Sequence, residues 1–326
     1  MTPRRNTPVL LSLCAMLLAG PAAGQVAPVA EPLDPGTVIG TEQDRGDRMT
    51  VPVMLGKSGP YRFVVDTGAE RTVIARELAS SLALGPGASA RVHSMTEVSV
   101  VETVVIPDLT VGGRNVRQIH APALARRNLG AEGMLGVDSL QSQRVSFNFG
   151  RDEMTVYPST RREERWEGNS IVITGKSRFG HLVLVDAALD GQKLWVVVDT
   201  GSQVTVGNEA LRRKLAAKGR LGESFPLRLM SVTGGSIIAD QTVAHRIRLG
   251  SVTITDLPVA FADVHPFRKL DLVDRPALLL GMDALRLFDR VSVDFANRRV
   301  RLLHKPQSSL GVETRLAQAP AGARRS

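Results

Sequence analysis

Cysteine is almost absent from this chain of 326 residues, which contains a single one, Cys14. That residue lies in an amino-terminal segment typical of a secretory signal: Arg4 and Arg5 precede an apolar run at 9–19, and small residues follow at 22–24. Cleavage of the signal would remove Cys14. We therefore expect a mature protein without disulfides, without a thiol nucleophile and without a cysteine-ligated metal.

Long apolar runs are missing as well. The run at 9–19 is far shorter than the ~20 residues that a membrane-spanning helix needs, which favours a cleaved signal over an uncleaved anchor. The sequence thus predicts export to the periplasm, or secretion, with no stable membrane insertion after the signal is cleaved.

Aromatic residues make up only 4% of the sequence although 43% of it is hydrophobic, so the apolar content is mainly aliphatic. Runs rich in Val favour strands, and we expect a mostly β protein. The 41 Lys and Arg residues exceed the 32 Asp and Glu residues, for a formal charge of +9. No basic cluster is interleaved with aromatics, so no nucleic-acid partner is expected. The six histidines have no metal-ligand spacing, and neither a metal nor a cofactor is expected.

One motif occurs twice: FVVDTGAERTVI surrounds Asp66, and WVVVDTGSQVTVG surrounds Asp199. In each copy, two apolar runs separated by a turn precede the Asp-Thr-Gly triplet, which predicts a β-hairpin. A segment with helical spacing follows each triplet, TVIARELASSLAL in one copy and NEALRRKLAAKG in the other. A Gly-Hyd-Asp-x-Leu element then begins at Gly136 and again at Gly281. These correspondences predict two similar domains.

The repeat and the stretches around it divide the chain into six segments. The charged stretch STRREERWEGNS interrupts the strand pattern and marks the boundary between the two halves. They are a signal peptide (1–24), an extended leader with at most one edge strand (25–47), a first lobe (48–158), a charged linker (159–170), a second lobe (171–304) and a flexible tail (305–326).

Each triplet delivers a carboxylate at the end of a predicted buried strand, where an unpaired carboxylate would be costly. A threonine hydroxyl can tie one loop to another, and a glycine allows a tight turn with an unobstructed amide. If the two loops meet across a pseudo-twofold axis, Asp66 and Asp199 cannot both ionise and share a proton. Such a pair can deprotonate a water while it protonates a carbonyl oxygen, which permits amide hydrolysis without a metal.

The segments DTGAERTVI and DTGSQVTVG, together with the elements MLG and LLG, resemble the retropepsin-like aspartic proteases. The resemblance is closest to exported bacterial members whose halves end in a pattern similar to LLGMDALRLFDRVSVDF, and it covers 48–158 and 181–303. It implies a mostly β protein of two tandem acid-protease β-barrel lobes, related by a pseudo-twofold axis and each carrying a short helix. It also implies an aspartic endopeptidase that acts on a polypeptide as a monomeric, intramolecular pseudo-dimer.

The resemblance implies that Asp66 and Asp199 jointly activate the water. The residues that would support the two active-site loops, by bracing them or allowing close backbone approach, are Thr67, Gly68, Ala69, Thr200, Gly201 and Ser202. A serine hydroxyl can donate to an ionised carboxylate whereas alanine cannot, so we predict that Ser202 makes Asp199 the more acidic partner. Activity is then expected at mildly acidic to neutral pH. Asp138 and Asp283, the rival carboxylates, begin helix-like segments and are predicted to cap them.

The family covers its substrate with a glycine-tipped hairpin, or flap. In the second half, SVTGGSII places Thr233, Gly234 and Gly235 at such a tip, with an ordinary hairpin turn as the alternative. The corresponding first-half segment, VHSMTEVSVVE, has no glycine. Its flap is therefore expected to be short, rigid or absent.

Two functions remain open from the sequence. The first is an exported aspartic endopeptidase. The second is a peptide-binding or regulatory protein that keeps the cleft with weak or no turnover, which the missing flap glycine suggests. Retention of both Asp66 and Asp199 favours the enzyme, because a binding cleft has no need of two carboxylates forced together.

Overall fold

The computed structural model describes residues 37–43, 48–111, 114–140, 143–160, 166, 170–178, 181–304 and 316–318. The predicted signal peptide, together with most of the leader, linker and tail, lies outside these residues. Within them, no helix is both long enough and apolar enough to cross a membrane.

The first half of the chain is built mainly from strands. Its strands are β1 (Thr37–Gly40), β2 (Glu42–Gln43), β3 (Met49–Leu55), β4 (Ser58–Val65), β5 (Val73–Ala75), β6 (Ala90–His93), β7 (Val98–Val101), β8 (Thr103–Val111), β9 (Arg114–Leu124), β10 (Gly133–Leu135), β11 (Gln143–Asn148) and β12 (Glu153–Pro158). Its helices are α1 (Arg76–Ser81), α2 (Arg126–Leu129) and α3 (Val137–Leu140).

The second half repeats this plan. Its strands are β13 (Ser170–Arg178), β14 (His181–Leu189), β15 (Gln192–Val198), β16 (Val206–Gly207), β17 (Phe225–Met230), β18 (Ser236–Leu249), β19 (Val252–Phe261), β20 (Ala277–Leu280), β21 (Phe288–Asp294), β22 (Arg299–His304) and β23 (Leu316–Gln318). Its helices are α4 (Glu209–Ala216), α5 (His265–Lys269) and α6 (Met282–Leu285).

Each half closes into a six-stranded barrel. The first barrel runs β3-β4-β10-β5-β9-β8, and the pairing of β3 with β8 closes it. The second runs β14-β15-β20-β16-β19-β18 and is closed by β14 and β18. Within the residues that the structure describes, strand content is 56% against 13% helix, so the predicted mostly β fold with two tandem barrel lobes is confirmed.

A six-stranded sheet joins the two lobes in the order β1-β12-β11-β21-β22-β13. Its central pair, β11 and β21, is antiparallel and places Ser146 opposite Ser292. The two strands on one side of this pair, β12 and β1, correspond in order to the two on the other, β22 and β13. The pseudo-twofold axis therefore passes between β11 and β21, and backbone hydrogen bonds hold the lobes together.

Two local predictions change in the structure, and one is confirmed. The segment after the first triplet begins as β5, which pairs with β9 and β10, and becomes helical only in α1. The leader contributes two short strands, β1 and β2, where at most one was predicted. The second-half helix α4 lies inside its predicted segment, and the side chain of Asn208 caps it by accepting from the Leu211 N–H at 2.9 Å.

The apolar runs before the triplets are buried on both faces, so successive side chains serve different cores. In β15, Val196 and Val198 belong to the main core, which extends across both lobes, whereas Val197 faces a smaller cluster in the second lobe. This second-lobe apolar cluster consists of Val183, Val197, Val206, Leu229, Ala239, Ala260, Ala262, Val264, Phe267, Leu270, Leu272, Ala277 and Leu279. Trp195 is partly buried and packs against this cluster.

Candidate active site

Both aspartates stand directly after a central barrel strand. Asp66 follows β4 and Asp199 follows β15, and each donates its backbone N–H to the end of a neighbouring parallel strand, to Leu135 O and Leu280 O, at 3.0 Å in both cases. Each triplet loop therefore begins at the end of a hydrogen-bonded barrel strand.

The threonines of the two triplets bind each other's loops. Thr67 N–H donates to Thr200 Oγ1 at 3.0 Å, and Thr200 N–H donates to Thr67 Oγ1 at 3.1 Å. Each hydroxyl in turn donates to a carbonyl at the end of the opposite lobe's strand, Thr67 to Val198 O at 2.9 Å and Thr200 to Val65 O at 2.7 Å. These reciprocal bonds join the two triplet loops directly.

Backbone amides hold one oxygen of each carboxylate. Gly68 and Ala69 donate to Asp66 Oδ1 at 2.7 and 3.0 Å. The corresponding amides of the second loop donate to Asp199 Oδ1 at 3.0 and 3.2 Å. The orientation of both carboxyl groups is thus fixed within their own loops.

The glycines allow the two carboxyl groups to approach across the seam between the lobes. A Cβ atom at Gly68 would lie 2.7 Å from Asp199 Oδ1, and a Cβ at Gly201 would overlap the carboxyl group of Asp66. Each glycine therefore faces the aspartate of the other half, and only a residue without a side chain fits there.

Burial raises the pKa of both carboxyl groups. The pKa of Asp199 rises to about 7, first because of burial and then because of the charge of Asp66 and a hydrogen bond with it. Burial also raises the pKa of Asp66, whose exposed fraction is 8%, but hydrogen bonds from the Gly68 and Ala69 backbone, together with the nearby Arg48 and His181, counteract this effect. Both carboxyl groups are thus harder to ionise than a free aspartate, and the pKa of about 7 favours a protonated Asp199 below neutral pH.

The prediction that Ser202 makes Asp199 the more acidic partner is wrong. The Ser202 hydroxyl donates to the carbonyl of Val204 at 2.7 Å, so only its backbone N–H acts on Asp199. Ala69 supplies the same backbone bond to Asp66. Arg48 and His181 lower the pKa of Asp66, whereas the charge of Asp66 raises that of Asp199.

Sequence reasoning missed Arg48 and His181. Both are buried, and they stand at equivalent places, immediately before β3 and at the first position of β14. Each lies 18 residues before the aspartate of its own half, at Asp66 and Asp199. A cationic or titratable residue at the same offset in both copies was the signal that could have identified them.

Asp138 and Asp283 lie outside the dyad. Asp138 accepts from the Thr72 backbone N–H at 2.9 Å and from its hydroxyl at 2.8 Å, and Asp283 binds Thr205 in the same way at 2.9 and 2.7 Å. Each also accepts from the next residue's N–H at 2.8 Å. Their main role is to fix the triplet loop onto the Gly-Hyd-Asp-x-Leu element, which the predicted capping role did not anticipate.

The second-half tip forms a hairpin as predicted. Strands β17 and β18 pair throughout, Ser231 N–H donates to Gly235 O at 2.8 Å, and Gly234 has a φ of +97° that favours glycine. The first half also has a hairpin, formed by β6 and β7, and it is short, with four residues in each strand. The two tips meet, because Thr233 Oγ1 donates to Ser94 Oγ at 3.1 Å.

Within the described residues, no group of three or more His, Cys, Asp or Glu side chains could hold a metal ion.

Residues 51–139 and 185–284 match a family model described as aspartyl protease. The two matched segments fall one in each lobe and together cover more than half of the chain. A comparison with curated proteins finds no match.

Proposed function

The chain belongs to the retropepsin-like aspartyl protease family, and from this premise we propose that it is an endopeptidase whose dyad is Asp66 and Asp199. The observation that carries the proposal is the reciprocal bonding of Thr67 and Thr200, which sets both carboxyl groups at one seam. A site built from one chain needs no second copy, so we propose that the active form is a monomer.

In the proposed reaction, a water molecule bound between the carboxyl groups attacks the carbonyl carbon of a peptide bond. Asp66, the ionised partner, accepts a proton from the water as the new C–O bond forms. Asp199 donates its proton to the carbonyl oxygen, which yields a neutral tetrahedral intermediate. The intermediate then breaks its C–N bond: the proton on Asp66 moves to the leaving nitrogen, and Asp199 takes back a proton from a hydroxyl as the acid product forms.

The glycine-tipped hairpin of the second half supports the proposal as a cover for the bound peptide. Thr233, Gly234 and Gly235 lie at the tip, where they contact the first lobe through Ser94, Asn128 and Thr96. Closure over the substrate would exclude water other than the attacking molecule, which strengthens the electrostatic effect of the dyad. We propose these three residues as substrate-covering residues on this basis.

The test is cleavage of an unstructured protein by three forms of the full chain. Asp66→Asn and Asp199→Asn are each expected to abolish cleavage, because either change removes a proton donor or acceptor that the reaction requires. The matched control is Asp256→Asn, which makes the same change at an exposed residue that pairs with His245. Activity that survives Asp199→Asn would overturn the single-chain site and would favour a site made from Asp66 of two chains.

The same experiment separates the enzyme from the binding protein. If the unaltered chain binds peptides without cleaving them at any pH between about 4 and about 8, the non-catalytic alternative replaces the endopeptidase. Cleavage that depends on both aspartates excludes that alternative.

A further inference from the structure

The tip of the first-half hairpin reaches into the second lobe. The backbone carbonyl of Met95 accepts a hydrogen bond from the His265 N–H, at the start of α5, at 2.9 Å. Beside this bond, the rings of His93 and His265 lie with their centroids 4.9 Å apart. Four residues of the tip, Ser94–Glu97, are closed by a bond from Ser94 N–H to Glu97 O at 2.9 Å.

The side chain of Met95 packs against the second-lobe apolar cluster and is partly buried there. The same cluster contains Val197, two residues before Asp199, and Val206, seven residues after it. The cluster that Met95 contacts therefore includes residues that precede and follow Asp199 in the chain. Met95 belongs to the other lobe, so its contact joins the two lobes.

A main-chain hydrogen bond together with an apolar side chain in a pocket is the way in which a protein binds an extended peptide. Met95 makes both contacts from within the chain. On the basis of the proposed endopeptidase function, we infer that Met95 occupies a substrate subsite of the second lobe, and that this subsite selects a Met-like, unbranched aliphatic side chain.

The composition of the cluster accounts for the selectivity. Its buried members are aliphatic except for Phe267. A charged substrate side chain would lose part of its hydration on this apolar surface. Methionine is long, unbranched and flexible, so it adapts to an irregular apolar surface, and leucine has a similar volume.

Occupation by Met95 also limits access. A peptide that uses the subsite must first displace the hairpin tip, and its apparent affinity falls by the fraction of molecules in which the tip has moved away. Weakening the internal contact should therefore strengthen peptide binding, and only for peptides that fill the subsite.

The experiment measures binding in an Asp66→Asn background, where turnover is absent. Two labelled, alanine-based peptides are compared by fluorescence anisotropy, one with Met at alternate positions and one with Ser at the same positions. Met95→Ser is expected to lower the Kd of the Met peptide about fivefold and to change that of the Ser peptide less than about twofold. Met95→Leu, which retains an occupant, should leave both values near those of the parent.

The matched control is Val100→Ser, on the same hairpin but 71% exposed; it should change neither Kd, and circular dichroism checks the fold of each variant. The inference is overturned if Met95→Ser leaves the Met peptide unchanged, strengthens both peptides equally, or if neither peptide binds. None of these results bears on cleavage, which is tested separately by the loss of activity in the aspartate variants.

Discussion

At the scale of single residues, the proton shared by Asp66 and Asp199 makes the proposed activity depend on pH. The pKa of Asp199 is raised to about 7, so its proton is present below that pH and is lost above it. The reaction needs this proton together with an ionised Asp66. We expect kcat/KM to fall as the pH rises past about 7, and to fall again in acid once Asp66 is protonated.

The measurement is the pH dependence of kcat/KM on one peptide from about pH 3 to about pH 9. Ser202→Ala is a useful companion variant, because the hydroxyl donates to Val204 and away from the dyad. Its profile should match that of the unaltered chain. A profile that stays flat to about pH 9 would contradict the assignment of the proton to Asp199.

Gly201 lies so close to the carboxyl group of Asp66, at the seam between the lobes, that no side chain fits between them. A Cβ atom there would overlap the carboxyl group of Asp66, and the nearby backbone is fixed by hydrogen bonds. Gly201→Ala is expected to displace Asp66 and reduce kcat about a hundredfold or more, since small misplacements of reacting groups have effects of this size. Steady-state kinetics provide the measurement. Gly85→Ala is the control, because a Cβ there meets no atom within 4 Å; equal activities of the two variants would refute the steric argument.

At the scale of elements, the two triplet loops form one unit through Thr67 and Thr200. Replacing either threonine with alanine removes a buried hydroxyl and leaves an amide and a carbonyl of the other loop unpaired. Each single change should lower the free energy of unfolding by about 1–3 kcal/mol. Once one brace is lost, the loops separate and water reaches the remaining groups, so the second change should cost less than the first.

A double-mutant cycle with chemical unfolding measures this coupling, which we expect to be about 1 kcal/mol or more. Thr67→Ser keeps the hydroxyl and serves as the control, with stability close to that of the unaltered chain. Strict additivity of the two alanine changes would show that the loops are independent.

The elements that the sequence predicted well are those with strong local signals. Alternating apolar runs around a turn located the hairpins before both triplets, and the turn Asp190–Gly191 has the positive φ angles, +45° and +76°, that its sequence favours. The segment after Asp66 was less clear, because its first residues are apolar in a pattern that suits a strand as well as a helix. In the barrel these residues form a strand, because β5 pairs with both β9 and β10.

Long-range features of the site lay beyond sequence patterns. The duplication indicated two lobes. Because each half carries one matching triplet, it also indicated that Asp66 and Asp199 belong to one site. The docking of the Met95 tip on the second lobe depends on how two distant segments approach in space. The side-chain direction of Ser202 depends on the carbonyl of Val204, a local backbone detail that no spacing rule reports.

At the scale of the whole molecule, two kinds of contact hold the lobes in register. The first is the joined sheet, in which β11 pairs with β21. No local pattern predicts that pairing, since either strand could form the edge of its own lobe. The second is an ion cluster beside the dyad, where Glu70 of the first lobe lies 2.6 Å from Lys269 Nζ and 3.8 Å from His181 Nε2 of the second.

The Glu70 cluster gives a prediction for the stability of the joined lobes. The pKa of Glu70 is lowered to about 2, first by the neighbouring His181 and then by Lys269. Its stabilising effect is therefore complete above the unfolded-state pKa of 4.5 and is lost as the pH falls toward about 2. Because the Glu70 side chain is 38% exposed, solvent screening limits the effect.

We expect Glu70→Gln to lower the free energy of unfolding by about 1 kcal/mol at about pH 6, with a difference that shrinks below about pH 4.5 and disappears near about pH 2. Urea unfolding across this range is the measurement.

Asp108→Asn is the matched control, because Asp108 pairs with Arg117 within one hairpin and both side chains are well exposed. This control should change the free energy of unfolding by no more than a few tenths of a kcal/mol. A Glu70→Gln effect that is as small as that of the control, or that persists unchanged in acid, would show that the lobes do not depend on this cluster. In that case, the sheet formed by β11 and β21, together with the paired threonines, would suffice to hold the dyad.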